Sequence, residues 1–473
     1  MVFLGEERLW LAREPNQPDP FWFDDIAHYS VIDGFGKELT SSSLTIGSDL
    51  KDLRPENWSS ALVGIWMKPN VVLMRPVQKI DGGSGKIYFE PVSNKPYTDR
   101  DSYFAFFNRP SDIDQPGEYV IDNNARNILY WPKDSALIKR EKLHVNQLAA
   151  GFNINGKSNI TITGFKITNY FGGLKGWAAG AGVINVKKNT QNLVVRDNVI
   201  SHLKSAEGVG AIQLHHVENA VIENNTIVEN EKNSGIRFGY SKNIIIRKNV
   251  IKRIGRTGIR LIETENVEVS GNYLTSIHGG HGNGMSVYLK NKNILVADNI
   301  IEDAPSAFTY HGSGKPGEAE NLWILNNIFL GRVNSWGKNF SSVVILHNLF
   351  LAPEERKKAL QIPGRESNTV VKNNIIDGFS SKPMYRDWEV SNNLYTSLSW
   401  TQSSKYHWSM EEGGEVDDDI ADEIFQFVKS KHAVDRPNGE NISAYLPTNL
   451  FKTYDFSYWS QNRPVGPSLI PAK

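Results

Sequence analysis

The sequence predicts an all-β chain whose middle winds as a parallel β-helix solenoid, with an irregular β-rich module before it and a short helix capping its end. Three observations lead there. One phrase recurs through the middle of the chain, an Asn preceded by a short apolar run and followed by a β-branched or apolar pair, at Asn198, Asn225, Asn249, Asn272, Asn299, Asn327, Asn348, Asn374 and, degraded, Asn393. Its intervals are 27, 24, 23, 27, 28, 21, 26 and 19 residues, and periods of this size mark solenoids. The segments before each Asn, such as Leu193-Val194-Val195 and Ile244-Ile245-Ile246, are short and β-branched and lie between Gly and Asn, so they are strands rather than helices. A second strand follows in each period behind a small residue, as at Gly210 to Leu214, Gly235 to Phe238, Gly258 to Leu261, Gly284 to Val287 and Ala307 to Tyr310. With several short strands per period, each turn of chain must pair with the next.

Residues 1–135 read as the irregular module, with strand-like runs at Ala61 to Trp66, Val71 to Arg75, Lys86 to Glu90 and Tyr119 to Asp122 among Pro, Gly, Asp and Trp. Residues 136–400 read as the solenoid, whose first coils fall within 151–186. In it the Asn column is structural: stacked at one corner, each Asn turns the chain in the left-handed conformation and bonds its amide to the next. Residues 401–473 read as a C-terminal cap. There Ile420, Ala421, Ile424, Phe425 and Val428 share one face of a helix over Asp417 to Val428, behind three Asp residues.

Composition excludes several classes of function. The 473 residues carry 52 basic and 52 acidic side chains, whereas binding to nucleic-acid phosphates needs a basic excess. Zero cysteines remove thiolate zinc sites, disulfide frameworks and cysteine nucleophiles. Uninterrupted apolar runs reach only four or five residues, short of the ~20 that cross a bilayer, so no membrane partner is expected. The first residues lack the features of a signal peptide, so the expectation is a secreted or periplasmic protein with its leader removed, or a cytoplasmic one. Phosphate loops, dinucleotide fingerprints and Gly-x-Ser-x-Gly elbows are all absent, and no cofactor is expected.

The solenoid resembles the pectin-lyase-like right-handed β-helix superfamily. The run Leu4 to Asn16, with Ala12-Arg13-Glu14-Pro15-Asn16, is similar to a phrase of bacterial β-helix carbohydrate-active enzymes, among them xylosidase- and fucosidase-type glycoside hydrolases. So are Asn108-Arg109-Pro110-Ser111-Asp112 and its continuation to Tyr119, and Ile128 to Pro132. The resemblance implies that these phrases belong to an inserted β-rich module, and that a carbohydrate is the substrate. It also implies a stretch of β-helix ahead of the first phrase, so this chain is expected to be truncated, processed or a shortened relative.

Strand alternation then selects a face for chemistry. With the residue after each small one pointing inward, one outward column reads Gln213, Arg237, Arg260, Ser286, Thr309, Gln361, and a second, two residues on, reads His215, Gly239, Ile262, Tyr288, His311. The small residues Ala211, Gly235, Gly258, Gly284 and Ala307 are expected to leave a trough beside them. Arg, Gln, Tyr and His along such a trough suit a row of sugar rings, although any exposed β-helix face is polar. Stacked Arg237 and Arg260 repel unless an anion lies between them, either Glu263 or an acidic group of the substrate. In the preceding loops Glu207, Glu231 and Asp303 each stand four residues before a small residue. One coil step would bring Glu207 and Glu231 to roughly 5 Å, the spacing of a retaining glycosidase pair.

The leading expectation is a glycoside hydrolase acting on a polysaccharide or oligosaccharide, possibly acidic, with Glu207, Glu231 and Asp303 as catalytic carboxylates. The alternative is a lyase or epimerase in which Arg237 and Arg260 neutralise a uronate and Tyr288, His281 or His311 moves the proton. A non-enzymatic adhesin or tailspike-like module is the third. His278 to Gly284 forms a glycine-rich loop that favours close backbone approach to a ligand over zinc binding. Because the candidate acids are spread singly over the coils, catalysis without a divalent metal is expected.

Overall fold

The computed structural model describes residues 1–32, 39–45, 60–68, 71–92, 101–146, 148, 150–171, 182–204, 209–280, 282–336, 340–351, 358–362, 366–381, 388–391, 393–397 and 415–416. The helix expected over Asp417 to Val428 lies outside them. The chain divides into two compact units, Met1–Gln147 with Gly279–His281, and Leu148–His278 with Gly282–Lys473. Among the described residues no helix is long and apolar enough to cross a membrane.

In the first unit, Gly5 (φ 61°) turns the chain between strands Val2–Leu4 and Glu7–Leu11, which belong to a five-stranded sheet with Glu118–Asp122, Asn127–Tyr130 and Leu143–Val145. A second sheet is built around strands Leu62–Lys68, Val71–Asp81 and Ser102–Phe107, whose inward residues include Val63, Ile65, Phe104 and Phe106. The motif residues Arg13 and Arg109 are buried here. Arg13 donates to the carbonyls of Pro15 and His28 and to Gln17 Oε1, while Arg109 pairs with Asp112. Both phrases thus hold the module together through satisfied buried charges.

In the second unit each coil gives one strand to each of three parallel sheets, of ten, ten and eleven strands among the described residues. The first sheet runs from Phe152–Asn155 and Ile184–Lys187 through Gly210–His215, Ser234–Gly239, Thr257–Ile262, Asn283–Tyr288 and Ser306–His311 to Phe379–Ser381. Its inward residues Ile212, Ile236, Ile259, Met285 and Phe308 are in register from coil to coil and have no exposed surface. They meet Ile222, Ile246 and Val269 of the second sheet and Ile227, Ile251 and Leu274 of the third in one continuous core. Each such side chain removed from water contributes about 1.5–3 kcal/mol.

The Asn column lies at the corner between the second and third sheets. Each amide Nδ2 donates to the next Oδ1, from Asn198 to Asn225 (2.9 Å) through to Asn374 and Asn393 (2.9 Å). The conformation differs from the expectation. Among the described residues the left-handed one is that before the Asn, as at Asp197, Asn224, Lys248 and Asp298 (φ 54–57°), so the turn is made first and the Asn pins it. An outer ladder that the period search passed over joins Asn159, Asn192, Asn219, Asn243, Asn266, Asn293 and Asn321, all left-handed, at 2.8–3.2 Å.

Candidate functional site

The outward column of the first sheet is continuous. Backbone register aligns Asn185, Gln213, Arg237, Arg260, Ser286, Thr309, Asn334 and Gln361. Asn334 was missed because its strand, Val333–Ser335, is too short to show alternation. The column is polar but sequestered: Gln213, Arg237, Ser286, Thr309 and Asn334 are all buried. Burial first, then repulsion from Arg260 and Arg256, lowers Arg237 to about 9, and burial followed by Arg256 lowers Arg260 to about 10. Both remain cationic at neutral pH, in a setting that disfavours the charge. Among the described residues Tyr240 acts in the opposite sense on Arg237 and Tyr288 on Arg260.

Glu263 does not answer the two arginines, because its carboxylate forms no ion pair or hydrogen bond among the described residues. Arg260 Nε is buried with no hydrogen-bond acceptor among them, and Asn334 Oδ1 is buried with no donor. Polar atoms left in this state are expensive unless a ligand or water completes them.

The second column also keeps register, His215 to Gly239 to Ile262 to Tyr288 to His311. Tyr288 and His311 meet edge to face with ring centroids 4.0 Å apart, and the Arg260 guanidinium lies 5.6 Å from the Tyr288 ring. His311 Nδ1 is 2.9 Å from the Gly312 carbonyl. A carbonyl only accepts, so Nδ1 carries the proton and neutral His311 keeps its basic lone pair on Nε2. Trp336 follows Ser335, the register partner of Tyr310, and so extends this column one coil beyond His311; it is 66% exposed. At the other end His215 packs 4.9 Å from Tyr240, and Gly239 makes room for it, since a Cβ there would lie 2.9 Å from His215 Cδ2. Burial, then His216, Arg237 and Lys187, pulls His215 down to about 4.

The expected trough is corrected. A Cβ on Gly235 would lie 2.8 Å from Ile251 Cγ2, one on Gly258 2.5 Å from Leu274 Cδ2, and one on Gly284 2.1 Å from Ile301 Cγ2. Small residues are needed here because the first sheet's strands start against the core, leaving no room for side chains between backbones and the third sheet.

Of the loop carboxylates, Glu231 and Asp303 fall within the described residues and each is already partnered. Glu207 lies outside the described residues, as does His281. Glu231 is 2% exposed, not solvated, and Lys204 Nζ holds its carboxylate at 2.6 Å. Asp303 lies at the opposite end of the strand Ser306–His311 from His311. There its carboxylate is 3.0 Å from His278 Nε2 and accepts from Ser276 Oγ at 2.9 Å. The His278 contact is the main reason its carboxyl sits below the usual range. Among the described residues no three potential ligands group into a metal site.

These features define a right-handed parallel β-helix, and a family described as a right-handed β-helix region matches residues 126–301. Among solved structures the chain is similar to a glycoside hydrolase at 10% identity, covering 89% of this chain and 78% of that one with a TM-score of 0.45. It is also similar to XylC in complex with xylose, at 11% identity, 88% and 74% coverage and a TM-score of 0.36. A third likeness is to the A-module of the Azotobacter vinelandii mannuronan C-5 epimerase AlgE6, at 12% identity, 54% and 79% coverage and a TM-score of 0.31. No curated protein matches the chain in sequence.

Proposed function

We propose that this chain acts on an acidic carbohydrate, with the anionic group of one sugar seated at Arg237 and Arg260 and the sugar ring against Tyr288 and His311. The observation that carries the reading is the stack of two arginines on adjacent coils, buried Arg237 and half-buried Arg260, in which Arg260 Nε has no acceptor among the described residues. An anion there would relieve both the repulsion and the unmet donor.

The chemistry this arrangement favours is proton removal next to a uronate carboxylate. Neutralised by the arginines, the carboxylate withdraws electron density from C5; His311 Nε2 takes the C5 proton, the C4–O bond breaks as C4=C5 forms, and the Tyr288 hydroxyl protonates the departing oxygen. Return of a proton to the opposite face of C5, without C4–O cleavage, would instead give epimerisation. Hydrolysis by Glu207 and Glu231 has less support, because the described partner of that pair is buried and bound to Lys204.

The test is a panel of acidic and neutral polysaccharides assayed in parallel for unsaturated products by ultraviolet absorbance and for new reducing ends. Unsaturated ends equal in number to the new reducing ends support elimination. Reducing ends without unsaturation transfer the chemistry to carboxylates and overturn the Tyr288–His311 assignment.

A further inference from the structure

At the turn from the first sheet to the second, the solenoid unit carries a groove of about 640 Å³. Three of its lining residues, His216, Tyr240 and Glu263, hold equivalent places on successive coils, with φ of 56°, 51° and 51°. Each directly follows a member of the second column and donates its backbone N–H to the coil below, to Gly239, Ile262 and Tyr288 at 3.0, 3.1 and 3.3 Å. The His216 and Tyr240 rings stack on one another at 5.2 Å, 19° from parallel, and Tyr240 stays 42% exposed, which leaves aromatic surface open to solvent. Two other acids of the groove are matched: Glu218 pairs with Lys242 at 3.1 Å and Glu318 with Lys290 at 3.3 Å. The Glu263 and Glu265 carboxylates have no such partner among the described residues, and Glu263 is the one that follows the aromatic pair on the next coil.

An aromatic surface beside an unmatched carboxylate suits one class of ligand, an uncharged sugar ring that rests its C–H face on the aromatic pair and donates hydroxyls to the acid. A second uronate would face Glu263 as a like charge. We infer that this groove is a subsite for a neutral sugar, so that the glycan recognised joins an acidic residue to a neutral one rather than being a uronate homopolymer. His215 links the two places, belonging to the coil that pairs with Arg237's strand and packing against Tyr240. The identity of the acidic neighbour rests on the reading of Arg237 and Arg260 above; the neutral subsite does not.

Calorimetry with the full chain tests this on three probes: oligomers of polygalacturonate, in which every residue is acidic; of hyaluronan, in which a uronate alternates with a neutral amino sugar; and of cellulose, which are neutral. The alternating probe binds tightest. Tyr240→Ala weakens the alternating and neutral probes by about five- to tenfold and leaves polygalacturonate unchanged, Tyr240→Phe keeps wild-type affinity, and Glu263→Gln strengthens polygalacturonate binding. Unchanged affinities in Tyr240→Ala and Glu263→Gln, no affinity of the wild type for the alternating and neutral probes, or a wild type that holds polygalacturonate tightest overturns the subsite. If Arg260→Gln leaves polygalacturonate binding intact while Tyr240→Ala still weakens the neutral probe, the groove stands and the arginine reading falls.

Discussion

Replacing Asn272 with Ala removes one member of the inner ladder, and its effect can be worked out bond by bond. The Asn272 amide donates to the carbonyls of Ile246 and Ser270 at 2.9 and 3.2 Å and to Asn299 Oδ1 at 2.9 Å. Its oxygen accepts from the backbone and the amide of Asn249, both at 3.0 Å. Asn272 is 1% exposed, so water cannot replace these partners without opening the corner. At about 1 kcal/mol per net bond, with the stranded Asn249 N–H costing about 1–3 kcal/mol alone, the loss should come to about 3–5 kcal/mol. Asn272→Asp should be worse at neutral pH, since it keeps the acceptor, loses the donors and buries a charge against carbonyls, and it should recover partly when acid protonates the new carboxyl. Asn243→Ala on the half-exposed outer ladder loses the bonds to Asn219 and Asn266, both 3.0 Å, and puts Ala in the left-handed conformation (φ 57°), and should cost about 2 kcal/mol. Urea unfolding followed by far-ultraviolet circular dichroism measures all three. A loss in Asn272→Ala no larger than that in Asn243→Ala would refute the claim that the inner ladder's buried bonds hold the corner.

Gly258→Ala should destabilise the fold by about 1–3 kcal/mol through overpacking against Leu274, visible as a lower urea midpoint; a neutral result would restore the open trough. His215 supplies an acid limit. Its folded pKa of about 4 lies below the ordinary 6.5, so the folded state binds fewer protons between those values. Its contribution is complete above pH 6.5 and is lost as pH falls toward 4, by about 1–2 kcal/mol once solvent screening of a partly buried ring is included. His215→Asn should flatten this part of the stability profile, and an unchanged slope would remove His215 as its source.

The fold was legible because the solenoid repeats its chemistry. Asn at the inner corner, β-branched residues before it and a small residue before the next strand set the register that aligns Gln213, Arg237 and Arg260. The outer ladder also left a signal, a constant offset of six residues, Asn243 before Asn249 and Asn266 before Asn272, which a search for Asn pairs would have found. The direction of the small residues was not legible. Simple alternation sends Gly235 outward, but the strand begins at a corner where its Cβ position faces Ile251, a contact set by a residue 16 positions away. The burial of Glu231 was hidden for a similar reason, because its partner Lys204 is on the previous coil. Trp336 escaped notice because Ser335 and Asn334 before it break the pattern of an apolar strand.

The most direct test of the account compares a uronate polymer with the same polymer after its carboxyl groups have been chemically reduced to alcohols. Chain length and linkage are unchanged, so any difference in affinity reports the anion. Titrated calorimetrically against the wild type, the acidic form should bind at least about tenfold more tightly, in line with charge-assisted bonds to arginine of about 1.5–3 kcal/mol. Arg237→Gln and Arg260→Gln should each erase most of that difference while leaving the reduced polymer's affinity in place. Equal binding of the acidic and reduced forms by the wild type would contradict the account, because the arginine pair would then have no anion to hold.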